Sequence, residues 1–292
     1  MASLRDLQRQ IQSVKNTAKM TDALQTVAGV KFRKAEARVG HSRPYAENMQ
    51  QMMRDIASKA GNSTNPLLAG REQVKTVAVA TLTADRGLAG GFNAQVLRRT
   101  MQFRQNQDTD LLQVASGRKS VAFFRFRRIA LEETYTGISE SPAYENAQEI
   151  GRHLTELFED EEADEVYLIY NRFENALIQR PVVTQLLPAA PDEDEEEEQQ
   201  NTGSDDPFEY IPGVDEILNE LIPKYVETVV WQALLESAAG EHGARMTAMK
   251  SATDNANEMA DDLTLKMNKA RQAQITGEIL EIAAGAEALA SG

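Results

Sequence analysis

The chain has 292 residues and a formal net charge of −14, with 41% hydrophobic and 26% charged residues; that is enough for one or two domains with a real core. Cysteine is absent, which excludes disulfides, Cys-ligated zinc and thiol catalysis. The three histidines, His41, His153 and His242, lie far apart, so no metal site is expected on them and solvated or capping roles are the default.

The N-terminus, MASLRDLQRQ, enters a charged helical pattern at once and reads neither as a secretory signal nor as a transit peptide, which predicts a protein kept in a cytoplasm. Residues 1–59 read as one long helix. Leu4, Leu7, Ile11, Val14 and Ala18 have the 3-4-3-4 spacing of a coiled-coil seam, and the stripe is expected to drift on to Leu24, Val27 and Phe32. Pro44 predicts a kink or interruption, and AGNSTNP (60–66) ends the helix.

Residues 74–188 alternate strand and helix signals, which predicts an α/β layer with a largely parallel sheet. The expected strands are VKTVAVATL (74–82), LLQVAS (111–116), IALEETYT (129–136), EVYLIYNRFEN (165–175) and QRPVVTQLLP (179–188). GFNAQVLRRTMQFRQ, RKSVAFFRFR and YENAQEIGRHLTELFED are the helices between them. Residues 189–207 should form a mobile acidic loop; 192–206 hold nine acids and no base. The rest of the chain is only mildly acidic, which argues weakly against nucleic acid.

Residues 214–290 return to a helical pattern, with Pro223 placed early where a first turn or a kink tolerates it. Met249, Ala256, Leu263 and Ala270 recur every seven residues, with Thr253, Ala260 and Met267 between them. Ile275, Ile279, Ile282, Ala286 and Leu289 continue the spacing. The predicted fold is therefore α/β: a long antiparallel coiled coil of the N- and C-terminal helices with an inserted Rossmann-like α/β domain. No apolar run reaches the ~18 residues of a membrane span.

TADRGLAGGFN (83–93), between a strand and a helix, has the look of a nucleotide loop. The dinucleotide fingerprint G-x-G-x-x-G is not met by Gly87-Leu88-Ala89-Gly90-Gly91, and Asp108 and Asp110 precede the second strand rather than end it. SGRKS (116–120) lacks the first glycine and the Gly-Lys pair of a P-loop. Arg86 beside Asp85 reads more simply as a salt-bridged turn. No nucleophile elbow, H-E-x-x-H or Ser/His/Asp set is present. Lys15, Lys19, Lys31, Arg33, Lys34 and Arg38 make a basic face without interleaved aromatics, which suits an acidic protein partner as well as nucleic acid.

ARQAQITGEILEIAAGAEAL (270–289) resembles the signature of the gamma subunit of rotary (F-type) ATP synthases, I-T-x-E-x-x-E-I-x-x-G-A-x-A. Ile275, Thr276, Glu278, Glu281, Ile282, Gly285, Ala286 and Ala288 match it. SVKNTAKMTDALQTVAGVKFRKAEAR with SRPYAE, DRGLAGGFN and EHGARMTAMKSATDNA are similar to further blocks of that family, in order, across nearly the whole chain. The resemblance implies a non-catalytic rotor shaft inside a ring of three alpha and three beta subunits, contacting the epsilon subunit and the membrane c-ring. It implies no catalytic residue, cofactor or metal on this chain, no nucleic acid and no direct nucleotide binding, since alpha and beta bind the nucleotide. It places the protein peripherally, at the cytoplasmic face of a bacterial cell membrane.

By the same resemblance, Arg271 and Gln272 match a polar contact to a loop of beta. Lys19, with Leu24 near it, lies in a beta-contact region, and the loop from Asp85 through Arg86 and Gly87 to Asn93 faces the lower lobe of beta. Tyr210 falls near epsilon and the c-ring, and Thr276, Glu278 and Glu281 are partner contacts within the signature. Gly29, Gly240 and Gly243 stand where the family usually has alanine; at about 0.5–1 kcal/mol each in a helix they predict a softer shaft. A free-standing coiled-coil adaptor would share the shape but not the signature.

Overall fold

The computed structural model describes residues 3–60, 66–71, 73–189 and 214–290. Tyr210 and all of the predicted acidic loop except Ala189 lie outside these residues. The chain divides into two compact units, one formed by Met1–Ala28 with Met246–Gly292 and the other by Gly29–Arg245.

Two helices run through both stretches of chain, α1 (Leu4–Ala60) and α6 (Val214–Ala290). Ser3 caps α1: its hydroxyl accepts the Asp6 amide at 3.2 Å and donates to the Asp6 carboxylate at 2.8 Å. This S-x-x-D pair satisfies donors that a bare first turn would leave open. The expected break at Pro44 does not occur, and α1 is continuous through it. Pro44 and Gly40, whose carbonyl loses its main-chain partner, are both exposed, so water takes the freed acceptor. Pro223 is likewise internal to α6, in its third turn rather than its first.

The larger unit is built on five strands: β1 (Thr76–Leu82), β2 (Asp110–Ser116), β3 (Glu133–Tyr135), β4 (Glu165–Phe173) and β5 (Gln179–Leu187), in the order β3-β2-β1-β4-β5. β1 pairs in parallel with β2 and β4, β3 in parallel with β2, and only β5 is antiparallel. Pro181 lies in β5, an edge strand where a missing N–H is tolerated. The run 129–136 yields only a three-residue strand. It follows Arg128, whose φ of 58° turns the chain out of α4 (Arg118–Phe126).

Helices cover both faces of the sheet, so β1 is an unbroken buried apolar run rather than an alternating one. One face, with Val77, Val79 and Ile169, packs on Val96 of α3 (Phe92–Gln105), and Ala115 packs with Val121 and Phe124 of α4. The other face, with Ala78, Ala80, Leu82 and Leu168, packs on Ile150, Leu154 and Phe158 of α5 (Tyr144–Glu159). Leu218, Ile222, Val226 and Val230 of α6 and Met53 and Ile56 of α1 complete that core. Pro66–Ala69 adds a short α2.

Gly240 and Gly243 correct the expectation of softness. A Cβ on Gly240 would stand 3.0 Å from the Phe92 ring, and one on Gly243 would stand 3.1 Å from the Ala176 carbonyl oxygen and 3.3 Å from Phe32. These glycines let α6 approach its neighbours closely, and the packing gained offsets their helix penalty.

The smaller unit is an antiparallel helix pair. Leu7, Ile11, Ala18 and Ala28 of α1 and Met249, Ala256 and Ala260 of α6 are buried. Thr21 and Thr253 hydroxyls meet at 2.6 Å. Leu24 and Val27 leave the expected stripe: Val27 is 54% exposed and Leu24 faces outward with it, while Thr21 and Ala28 continue the seam. Three- and four-residue steps from Ala18 reach Thr21, Gln25 and Ala28, and the short side chains of Thr21 and Ala28 admit close backbones.

Candidate functional site

The loop after β1 is fixed by its own polar groups. The Thr83 amide donates to the Ser116 carbonyl at 2.8 Å, and its hydroxyl accepts the Ser120 amide at 2.9 Å. Asp85 is the hub: its carboxylate accepts backbone N–H groups from Arg118, Gly137 and Ser139 at 3.1, 2.9 and 3.1 Å. Partial burial pushes the Asp85 carboxyl up, but these bonds outweigh it and hold the group below the usual carboxylate range. The Asn93 side chain takes the Ala84 amide at 2.8 Å. The amide at the start of α4 (Arg118–Phe126), with those of Gly137 and Ser139, thus meets a carboxylate of the chain itself.

Arg86 does not pair with its neighbour Asp85, as a salt-bridged turn would require. Its guanidinium reaches Glu140 at 3.2 Å, and Arg118 stands by Asp85 instead. Asp85 is already saturated by amides and points into the turn, so the next side chain emerges on the other side. Glu140 also binds Lys31 of α1 at 2.6 Å. Gly87 is held by its carbonyl, which accepts from Arg245 of α6 at 3.1 Å. Arg245 pairs in turn with Glu241 at 2.7 Å. Leu88 follows at φ 62° and is 66% exposed, a left-handed residue whose side chain faces solvent beside the held Gly87.

His242 lies inside this cluster, only 1% exposed, which corrects the reading of a solvated or capping residue. Its Nε2 is 3.0 Å from the Glu140 carbonyl, which only accepts, so Nε2 carries the proton and Nδ1 faces Arg245 at 3.4 Å. Burial pushes its pKa below the ordinary 6.5. The unfolded chain therefore binds this proton more readily than the folded one, and stability falls as pH drops through about 6.5 and below. Urea midpoints of the full chain between neutral pH and about pH 5 should show this fall, and His242→Gln should flatten it. An equal slope in wild type and variant would remove His242 as its source.

In the smaller unit, Lys19 is exposed, and Met20, Leu24 and Val27 form an outward apolar stripe. The Thr21–Thr253 contact sets an antiparallel register that brings the start of α1, Leu4, opposite about residue 270 by equal helical rise. Arg271, Gln272, Thr276, Glu278 and Glu281 therefore lie on helix with no seam partner in α1, and all are exposed. Ile275, Ile279, Leu280 and Ile282 are exposed with them, Ile282 by 73%. Gln274 bonds only along the helix, to Glu278 at 2.9 Å.

The predicted site residues thus fall into two groups, the braced loop with Asp85, Arg86 and Gly87 and the two helices of the pair. Sequence reasoning placed Leu88 within the expected contact loop without singling it out, and missed Glu140, His242 and Arg245. The i,i+4 spacing of Glu241 and Arg245 could have announced their ion pair, but not the Gly87 carbonyl that it serves. Among the described residues no cluster of His, Asp and Glu is arranged to hold a metal, and no helix is long and apolar enough to cross a membrane.

A family model described as ATP synthase matches residues 3–289. The ATP synthase gamma chain of Rubrobacter xylanophilus is 72% identical over 292 residues, covering 100% of both chains. That of Pelotomaculum thermopropionicum is 47% identical over 291 residues, covering 99% of this chain and 100% of the relative. Two solved structures share the fold. A chain of the mitochondrial ATP synthase OSCP/F1/c-ring assembly of Euglena gracilis has a TM-score of 0.68 at 17% identity, covering 99% of this chain and 95% of that one. A chain of the mitochondrial central stalk/c-ring of Tetrahymena thermophila gives 0.61 at 22% identity, covering 80% and 99%.

Proposed function

The chain belongs to the gamma-chain family of ATP synthases, and on that premise we propose how its residues couple rotation to ATP synthesis and hydrolysis. It is the central rotor shaft, and the unpartnered end of α6 carries this reading. Four large aliphatic side chains stand exposed on a helix that has outrun α1, and an apolar sleeve supplied by the alpha and beta subunits would cover them. Burial at about 25 cal/mol per Å² then comes from the ring, so the pair is completed by assembly.

A shaft without three-fold symmetry presents a different surface to each of three beta subunits. Every orientation favours a different conformation at each catalytic site, and ion flow through the c-ring, by turning the shaft, shifts those populations in sequence. In hydrolysis the same coupling runs backwards. The chain itself is non-catalytic and binds no nucleotide; the filled turn around Asp85 supports this. It is held peripherally at the membrane through epsilon and the c-ring.

The contacts divide accordingly. Arg271 and Gln272, exposed where α6 leaves its partner, offer a guanidinium fork and an amide to a polar or acidic loop of beta. Thr276, Glu278 and Glu281 follow on the same helix end. Lys19 with the Met20–Leu24–Val27 stripe meets beta from α1. Leu88, on the loop with Asp85, Arg86 and Gly87, meets the lower lobe of beta.

Reconstitution with alpha and beta subunits tests this. Arg271→Ala with Gln272→Ala should lower ATPase turnover by about tenfold, as expected from losing charge-assisted hydrogen bonds of about 1.5 kcal/mol or more, while circular dichroism of the isolated chain stays unchanged. Wild-type turnover in the double variant would overturn the contact assignment, and cooperative ATPase activity unaffected by omitting the chain would overturn the shaft. A free-standing adaptor is disfavoured by a family match spanning residues 3–289.

A further inference from the structure

The layer of α3 and α4 is basic. Residues 117–128 hold five cations, Arg118, Lys119, Arg125, Arg127 and Arg128, and no acid. Arg125, Arg127 and Arg128 are exposed, and none forms an ion pair among the described residues. Arg127 lies over the Phe123 ring at 5.3 Å, and Phe126 beside it is 86% exposed. Arg104 of α3 is held by Gln113 at 3.2 Å. Arg125, Arg128, Ile129 and Leu131 line an open groove of about 580 Å³, with Glu132 and Glu133 on its β3 wall.

Topology places this cluster at a particular end of the sheet. α4 starts just after Gly117, at the C-terminal end of β2, and its last turn runs back toward the end where β1 and β2 begin. β5 is antiparallel, so Leu187 lies at that same end, opposite Val166 of β4. The chain leaves the described residues there, at Ala189, whose amide donates to the Leu67 carbonyl at 2.9 Å. It re-enters at Val214, about 20 Å of helix before Glu227, which packs at Gly151 of α5 and binds Tyr144.

We propose that this basic end is the docking surface for the chain's own acidic run, residues 192–206. Charge complementarity and tethering point to this occupant: nine acids and no base are joined to the sheet within reach of the arginines. From β5 to β2 is three strand spacings, about 15 Å, and α4 lies a further layer of about 10 Å away on the face opposite Leu67 and Ala189; the chain from Ala189 to Glu198 spans up to about 30 Å when extended, enough to pass the end of the sheet. Exposed ion pairs contribute little singly, but a short tether holds the partner at an effective millimolar concentration. The contact is electrostatic, so salt releases it.

The absence of cysteine makes a clean test of the full chain. Gln199→Cys and Ala122→Cys, the latter exposed on α4, take spin labels for dipolar distance measurement. At ~0.01 M salt, where the Debye length is about 30 Å, a short and narrow distance is expected. At ~1 M salt, where it is about 3 Å, the distribution should lengthen and broaden. Replacing Arg125, Arg127 and Arg128 with Gln should reproduce the high-salt distribution at low salt. Replacing Glu195, Glu196, Glu197 and Glu198 with Gln should do the same, and this variant decides if the arginine variant misfolds. A distribution indifferent to salt and to the glutamate substitutions would overturn the proposal. A dipolar signal between singly labelled chains would overturn it in favour of contact between copies.

Discussion

Gly117→Ala is expected to unfold the sheet-bearing unit. Gly117 joins β2 to α4 at φ 92° and ψ 141°, a region open essentially to glycine alone. A Cβ there would stand 2.1 Å from the Thr83 carbonyl oxygen and 2.7 Å from its carbon. Both are backbone atoms of the chain leaving β1, so nothing flexible can yield. Strain and displacement together should cost at least about 4 kcal/mol, a large part of the stability of an ordinary domain. The Gly117 amide also donates to the Tyr135 carbonyl at 2.7 Å, so β3 would be lost with it. Urea unfolding of the full chain measures the effect. Gly137→Ala is the control, because its φ of 85° is similar but a Cβ would meet nothing within 4 Å; it should lose only about 1 kcal/mol. Equal losses in the two variants would refute the steric argument.

Arg245→Ala should destabilise by about 3–5 kcal/mol, because it leaves the Glu241 carboxylate buried and unpaired. Glu241 is 1% exposed, and the 2.7 Å bond to Arg245 is its ion pair. The same guanidinium supports the Gly87 carbonyl, so hydrogen exchange at Gly87–Gly90 should accelerate more than in the sheet. Arg245→Leu with Glu241→Leu should recover most of the stability, since an apolar pair leaves no charge stranded, but not the protection of the loop. Full recovery of both would mean that the arginine only neutralises Glu241. Unchanged stability in Arg245→Ala would show the cluster to be solvated.

Strands, helices and their order were legible because each carries a local pattern: the β-branched run 76–82, the glycines at 90 and 91 before α3, the amphipathic turns of 144–159. What was not legible is set by distant partners. Leu24 and Val27 draw the expected stripe off the heptad by their size, yet the seam keeps its three- and four-residue steps through Thr21, whose contact with Thr253 spans most of the chain. Gly240 and Gly243 read as weak points until Phe92 and Ala176 appear against them. Asp85 and Arg86 are adjacent, but the first is consumed by amides of residues 118, 137 and 139, and the second turns to Glu140. The exposed end of α6 was readable as a motif; its lack of a partner follows only from the register.

The helix pair also imposes an order of events on biosynthesis. One of its two stretches of chain is made before the sheet-bearing unit and the other after it, and more than two hundred residues separate Ala28 from Met246. Such a non-local pairing is slow to nucleate, since the closure entropy of the intervening chain must be met first. The sheet-bearing unit removes that obstacle. Once folded it holds Gly243 against Phe32, so the effective loop collapses from the whole unit to a few residues on each side. The N-terminal arm, with Leu7 and Ile11 awaiting their cover, therefore stays unpaired through most of synthesis, in the window when chaperones act. A substitution that slows the sheet should raise aggregation of nascent chains even where the finished pair is untouched.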